Sequence, residues 1–172
     1  IKEDGWLKIA KRPVTLTSHG ANKKYDGTPL MNTADPAVSG DGFVDGQGVT
    51  YKNFASITDV GNTNNTFDID YNPGTDGRNY DITRAYGQLI ITAEDNEVVV
   101  TITGHKRSDD YDGTAKTAEG YNVTITGSET YTQNDFRFSG TASVTETNAG
   151  TYPMGLAIDQ FENINTNFTS VR

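Results

Sequence analysis

The 172-residue chain contains no cysteine. That absence excludes disulfides, thiolate metal sites, cysteine nucleophiles and thioester cross-links together. Long apolar runs are missing too. Only 34% of residues are hydrophobic and the mean hydropathy is -0.60, and no stretch approaches the roughly 18 apolar residues of a membrane helix. Direct insertion into a membrane is therefore not expected. Positive charge is scarce: 14 Lys and Arg stand against 23 Asp and Glu, for a net charge of -9. Such a surface repels phosphate backbones, so nucleic acid is not an expected partner. Aromatic residues are present in quantity, however. Nine Tyr, seven Phe and one Trp supply enough payload for packed cores and argue against disorder.

The chain repeats itself. Tyr25-Asp26-Gly27-Thr28 recurs as Tyr111-Asp112-Gly113-Thr114, and upstream Val14-Thr15-Leu16-Thr17-Ser18-His19 lies over Val100-Thr101-Ile102-Thr103-Gly104-His105. Downstream, Ala55-Ser56-Ile57-Thr58 meets Ala142-Ser143-Val144-Thr145, Ile69-Asp70 meets Ile158-Asp159, and Asn79-Tyr80 meets Asn167-Phe168. Blocks that recur in one order mark two copies of one module. A further block sits out of frame. Gly87-Gln88-Leu89-Ile90-Ile91, which closes the first copy, is similar to Gly5-Trp6-Leu7-Lys8-Ile9 near the start, and nothing like it follows in the second copy. The expected organisation is residues 1–11 as the closing strand of a preceding repeat, 12–93 as a first module, and 94–172 as a second module lacking its closing strand.

Period-2 alternation dominates. Leu7/Ile9, Val14/Leu16, Phe67/Ile69/Tyr71, Leu89/Ile91, Val98/Val100/Ile102, Val123/Ile125 and Phe136/Phe138 alternate with polar neighbours, which predicts half-buried strands. Clusters such as Asn72-Pro73-Gly74 and Thr147-Asn148-Ala149-Gly150 between them carry turn chemistry. No ten-residue stretch has a 3.6-residue apolar period; Thr132–Asp135 is at most one helical turn. The expected fold class is mainly β: two tandem small modules of the same fold, β-sandwich or β-grasp-like, with at most a short helical turn each.

In Tyr-Asp-Gly-Thr, Asp-Gly is a tight-turn pair, because Gly accepts positive φ and Asp folds back on the main chain. Tyr25, Asp26, Gly27, Thr28 and Tyr111, Asp112, Gly113, Thr114 are thus expected to be structural turns, one per module. The Tyr-Asp-Gly-Thr motif, Asn148-Ala149-Gly150-Thr151-Tyr152, and the closing Asn79-Tyr80-Asp81-Ile82 with Tyr86-Gly87-Gln88-Leu89-Ile90-Ile91 resemble the YDG and YGX (MBG-type) repeats of large bacterial surface proteins and adhesins. The first copy departs at the middle motif, reading Asp59-Val60-Gly61-Asn62-Thr63. The resemblance implies an extracellular, cell-surface or wall-attached protein whose repeats serve as stalk or adhesion units. It implies neighbouring repeats of the same polypeptide as partners, with a host or matrix glycan or protein as a further one. It carries no catalytic residues and no cofactor.

Other candidates are weaker. His19 and His105 are the only histidines, one per copy, and a metal or acid–base site needs convergent ligands. Asp68-Ile69-Asp70-Tyr71-Asn72 begins like an EF-hand loop, but Pro73 stands where Gly is required and Asn79 where Glu is required. Asp109, Asp110 and Asp112 form a second acidic cluster. The run Gly40–Gly48 contains no GxGxxG and its aspartates would repel a pyrophosphate. Lys8, Lys11 and Lys52 are candidates for a Lys–Asn cross-link, with no acid marked to catalyse it. No enzyme is expected. The rival to a stalk is a carbohydrate-binding module, with Trp6, Tyr51, Tyr71, Tyr131 and Tyr152 as its candidate aromatic platform.

Overall fold

The computed structural model describes residues 2–172, and the architecture is mainly β: short strands of three to six residues and three single 3-10 turns. The chain divides into two compact units, Ile1–Thr92 and Ala93–Arg172.

In the first unit, β1 (Arg12–Thr17) lies between β3 (Ala37–Gly40), antiparallel, and β7 (Tyr80–Ala85), parallel. A second sheet places β8 (Gln88–Thr92) between β2 (Ala21–Lys24), parallel, and β5 (Gly61–Asn64), antiparallel. β4 (Val49–Lys52) and β6 (Asp68–Tyr71) form an antiparallel ribbon. The alternation of β1 sends Val14 and Leu16 inward, where they meet Phe67 and Tyr80 in the buried core, with Phe43, Tyr51 and Ile82 packed against it. Leu89 and Ile91 of β8 are likewise buried. Each such aliphatic side chain contributes about 1.5–3 kcal/mol by leaving water.

In the second unit, β9 (Val99–Gly104) pairs antiparallel with β11 (Tyr121–Thr126), and a parallel bridge joins Val98 to Val171 on its side of the unit. β10 (Lys116–Glu119) pairs with β13 (Ser143–Glu146), and β12 (Phe136–Phe138) with β14 (Phe161–Asn163), both antiparallel. β1 thus has one antiparallel and one parallel strand neighbour, whereas β9 has β11 as its strand partner, with the parallel bridge at the residue before it. Each unit also holds a close aromatic pair. Phe43 meets Tyr80 at 5.1 Å in the first unit, and Tyr131 meets Phe168 at 5.0 Å in the second.

Two sequence expectations differ from the structure. Leu7 and Ile9 do not form a strand: residues 2–11 are exposed and irregular, with Trp6 83% and Leu7 and Ile9 85% accessible. The physical reason lies in β8, whose Leu89 and Ile91 already fill the place that this pattern would occupy in the first unit. Ile158 is not the counterpart of Ile69 either. Ile69 pairs with Tyr51 in the β4–β6 ribbon, whereas Ile158 opens an exposed 3-10 turn and Phe161 takes the paired position opposite Phe138. A ring that stacks on Phe138 at 4.6 Å buries more apolar area there than an isoleucine would.

Candidate functional site

The two Tyr-Asp-Gly-Thr segments build the same turn. Gly27 and Gly113 have φ of 77° and 79°, a region that a Cβ disfavours. In the first turn, Asp26 Oδ1 accepts from the Thr28 amide at 2.9 Å and from its hydroxyl at 2.7 Å. In the second, Asp112 Oδ1 accepts from the Thr114 amide at 2.9 Å and hydroxyl at 2.6 Å. A lysine clamps each aspartate, and it arrives from opposite directions. Lys23, three residues before Asp26, reaches it at 2.6 Å, while Lys116, four residues after Asp112, does so at 2.6 Å. The lysine hydrogen bond, followed by those from threonine, holds both carboxyls well below the usual carboxylate range. The motif predicted the turn but gave no sign of the clamp, since the lysine has no fixed offset from it.

The tyrosines of the two turns differ. Tyr25 is half-buried, and its amide donates to Thr92 O at the end of β8. Tyr111 is 69% exposed.

Of the five candidate platform residues, Tyr131 and Tyr51 are engaged in core packing. Tyr131 is a core residue, 3% exposed, whose hydroxyl donates to Asp135 O and Asn163 Oδ1; burial, then the Asp135 charge, raises its pKa. It has no face to offer a sugar. Tyr51 packs edge-on against Phe67, so its ring is engaged by the core. Tyr71, Tyr152 and Trp6 are exposed.

The remaining polar candidates are tied into local structure. His105 faces Glu119 O through Nδ1 at 2.8 Å and Asn122 Oδ1 through Nε2 at 3.1 Å, while His19 is exposed and its carbonyl accepts from Asn65. Asp68 and Asp70 lie on β6 rather than in a loop; Asp70 pairs with Lys52 and Asp68 accepts from Asn53. Asp76 caps a 3-10 turn and pairs with Arg78, which lowers its pKa to about 2. Asp109 pairs with Arg107. No group of three His, Asp or Glu poised for a metal occurs among the described residues. Lys8 and Lys11 are exposed in the irregular leading segment.

Asn65 is a feature that the sequence did not mark. It is fully buried; its Nδ2 donates to His19 O at 2.9 Å and Asn32 O at 2.8 Å, its amide donates to Gly87 O at 2.8 Å, and its carbonyl accepts from Ser18 Oγ at 2.6 Å. It joins the end of β1 to the start of β8. In the sequence it is one more polar residue in an asparagine-rich stretch that reads as a turn.

Two concavities lie in the second unit. An open cleft of about 460 Å3 is lined by Val100, Ile102, Tyr131, Phe136 and Phe161. A groove of about 650 Å3 runs between the stretch 105–111 on one side and 146–154 on the other, with Ala118 and Val144 among its lining. Residues 105–111 and 147–154 are not strands.

Residues 98–171 match the family model of the MBG domain. MBG domains occur in surface proteins, and the family is a repeat or binding-type domain rather than a known enzyme family. No curated protein and no solved structure matches the chain.

Proposed function

We propose that the chain comprises two copies of one module and serves as a non-enzymatic stalk or adhesion repeat of a secreted bacterial surface protein. The observation that carries the reading is the recurrence of one turn, down to its Asp–Thr hydrogen bonds, positive-φ glycine and lysine clamp, in two units of which the second matches the MBG domain. Each unit has its own small core and each sheet is open, so units add in number without rebuilding their neighbours. The net charge of -9 keeps a dense array from self-associating through its surface. Neighbouring repeats of the same polypeptide are the expected partners, with a host or matrix glycan or protein beyond them. The role is positional, with no chemical step.

Surface shaving tests the location. Brief protease treatment of intact source cells should release peptides of this chain, and antibody should label unpermeabilised cells. Peptides obtained only after lysis would overturn the reading. For the mechanical role, chains concatenated to two and four copies should lengthen linearly by small-angle X-ray scattering; a maximum dimension that plateaus would remove the stalk.

A further inference from the structure

We propose that Tyr71 of the first unit is the stacking plate of a saccharide site, and that its occupant is a pyranose ring of a neutral glycan. The inference deepens the adhesion reading and rests on the glycan partner named there; it adds where the contact lies and which class of sugar fits it.

Tyr71 ends β6 opposite Val49 of β4, on the ribbon face that also carries Tyr51 and Ile69. Those three neighbours pack against the core, whereas Tyr71 lies beyond it and is 44% exposed. Its ring rests on Gly77. A Cβ built there would lie 2.4 Å from Tyr71 Cζ, 2.5 Å from Cε2 and 2.7 Å from the hydroxyl oxygen. Near-equal distances to three atoms of one plane put that Cβ above the plane, so the ring turns a face, not an edge, to the glycine. With one face covered, the remaining exposure belongs to the other face and the hydroxyl edge. Among the described residues the ring joins no aromatic pair and the hydroxyl makes no hydrogen bond.

The seat under the ring is fixed by folding. The Asn72 amide donates to Gly48 O at 3.0 Å, the Thr75 amide to Asn72 O at 2.9 Å, and the Gly48 amide to Thr75 Oγ1 at 2.9 Å. Beyond Gly77, the Asn79 amide donates to Asp76 O at 3.0 Å. A ring positioned before its ligand arrives spares binding the cost of ordering it. Tyrosine suits the task, because two χ angles hold a large amphipathic contact area.

The rim selects the occupant. The bonded neighbours of Gly77 are Asp76 and Arg78, which pair through Oδ2 and Nη2 at 2.7 Å, with Nε donating to both carboxylate oxygens at 3.1 Å. The Arg78 Nη1 donates to no described residue, and the carboxylate keeps acceptor sites. An apolar plate flanked by one donor and one acceptor is complementary to a pyranose. Its C–H face stacks on the ring, while its hydroxyls donate to Asp76 and accept from Arg78. An apolar side chain from a protein partner would use the plate but strip water from the ion pair without replacing it. An anionic glycan is disfavoured as well. The pair is neutral as a unit, and the chain around it carries a net charge of -9.

Affinity electrophoresis of the full chain through native gels holding hydroxyethylcellulose, galactomannan or dextran tests this. The native chain should be retarded by at least one of the three. Tyr71→Ala should weaken that interaction about tenfold or more, the loss expected on truncating a stacked aromatic anchor. Tyr71→Phe keeps the plate and should retain most of the retardation. Gly77→Ala is the sharper variant. Gly77 is not among the positive-φ glycines, so its backbone accepts alanine, but the new Cβ lifts the ring. Its melting curve should stay near native while retardation falls. Tyr111→Ala, at a tyrosine of the other unit that is 69% exposed, should change nothing. A native chain retarded by none of the three polymers would overturn the proposal. So would full retardation of Tyr71→Ala or of Gly77→Ala. These measurements use purified protein, so they can fail while surface shaving succeeds, and the reverse.

Discussion

Replacing Asn65 by alanine isolates the polar clasp that starts β8. The substitution removes the two bonds from Nδ2, to His19 O at 2.9 Å and Asn32 O at 2.8 Å, and leaves the main-chain bond to Gly87 and the Ser18 bond in place. Two hydrogen bonds at about 1 kcal/mol net each give roughly 2 kcal/mol, and the two carbonyls left behind add to the loss. One term opposes it. Asn65 Oδ1 is buried with no hydrogen-bond partner among the described residues, so its removal recovers about 1 kcal/mol of desolvation. The expected net loss is about 2–3 kcal/mol, a fall of roughly 10–20 °C in the melting temperature of a unit this size. Urea denaturation read by amide exchange localises the effect. Protection at Leu89 should fall with the global loss, while Val100 in the second unit should be unchanged. A loss below about 0.5 kcal/mol, the level of an ordinary surface substitution, would refute the clasp. Asn65→Asp supplies a signed companion test. A carboxylate facing two carbonyl oxygens is disfavoured, so its folded pKa lies above the unfolded value of about 3.9. The folded chain then holds its proton more tightly, and this variant should lose stability as pH rises through that value.

Gly87→Ala should dislodge β8, because its Cβ would lie 2.3–2.8 Å from the backbone atoms of Ser18, His19 and Gly20; amide exchange at residues 89–91 should rise to the rate of an exposed segment. Gly113→Val should cost about 1–3 kcal/mol through φ alone, since nothing lies within 4 Å of its Cβ, and Gly113→Asn should restore most of it in the same denaturation assay. Asp26 and Asp112, whose folded pKa values are depressed, stabilise the turns above the unfolded value of about 3.9 and lose that contribution as pH falls below it. Asp26→Asn and Asp112→Asn keep the oxygen that accepts from threonine but lose the lysine pair, so their acid limbs should be flatter than that of the native chain. Chelation should leave the melting curve unchanged, because Asp68, Asp70 and Asp76 already have protein partners; a large shift on adding EDTA would restore the EF-hand-like run as a calcium site.

What was legible in the sequence is what is written locally. The Asp-Gly pairs encode their turns within four residues, and the structure returns both with positive φ at the glycine. Alternation at Val14/Leu16 and Leu89/Ile91 marks strands with one face in a core. The same local pattern misleads at Leu7/Ile9, because alternation records what a segment buries once paired and is silent on whether a partner edge is free. Short polar strands such as Gly61–Asn64 were invisible for the converse reason. Their strand state comes from β8 beside them and not from their own side chains. The same holds for the candidate platform. Tyr131 and Tyr152 look alike in sequence, yet a partner ring at Phe168 makes the first a core residue.

The order of strands along the chain explains why the second sheet of the first unit depends on its last strand. In the first unit, β2 and β5 are not neighbours; only β8, the last strand, holds them in one sheet. Until β8 is placed, its two flanks are edges with unused hydrogen-bonding groups. Completion of that sheet depends on one short segment whose information is a glycine and two alternating aliphatics. A segment carrying that pattern competes for the site on equal chemical terms, whichever chain supplies it. Covalent continuity favours the native strand through its high effective concentration. The turn motif plays no part in that completion, because its hydrogen bonds close within Asp26–Thr28 in the first unit and within Asp112–Lys116 in the second. The architecture thus keeps local turn specification separate from sheet completion.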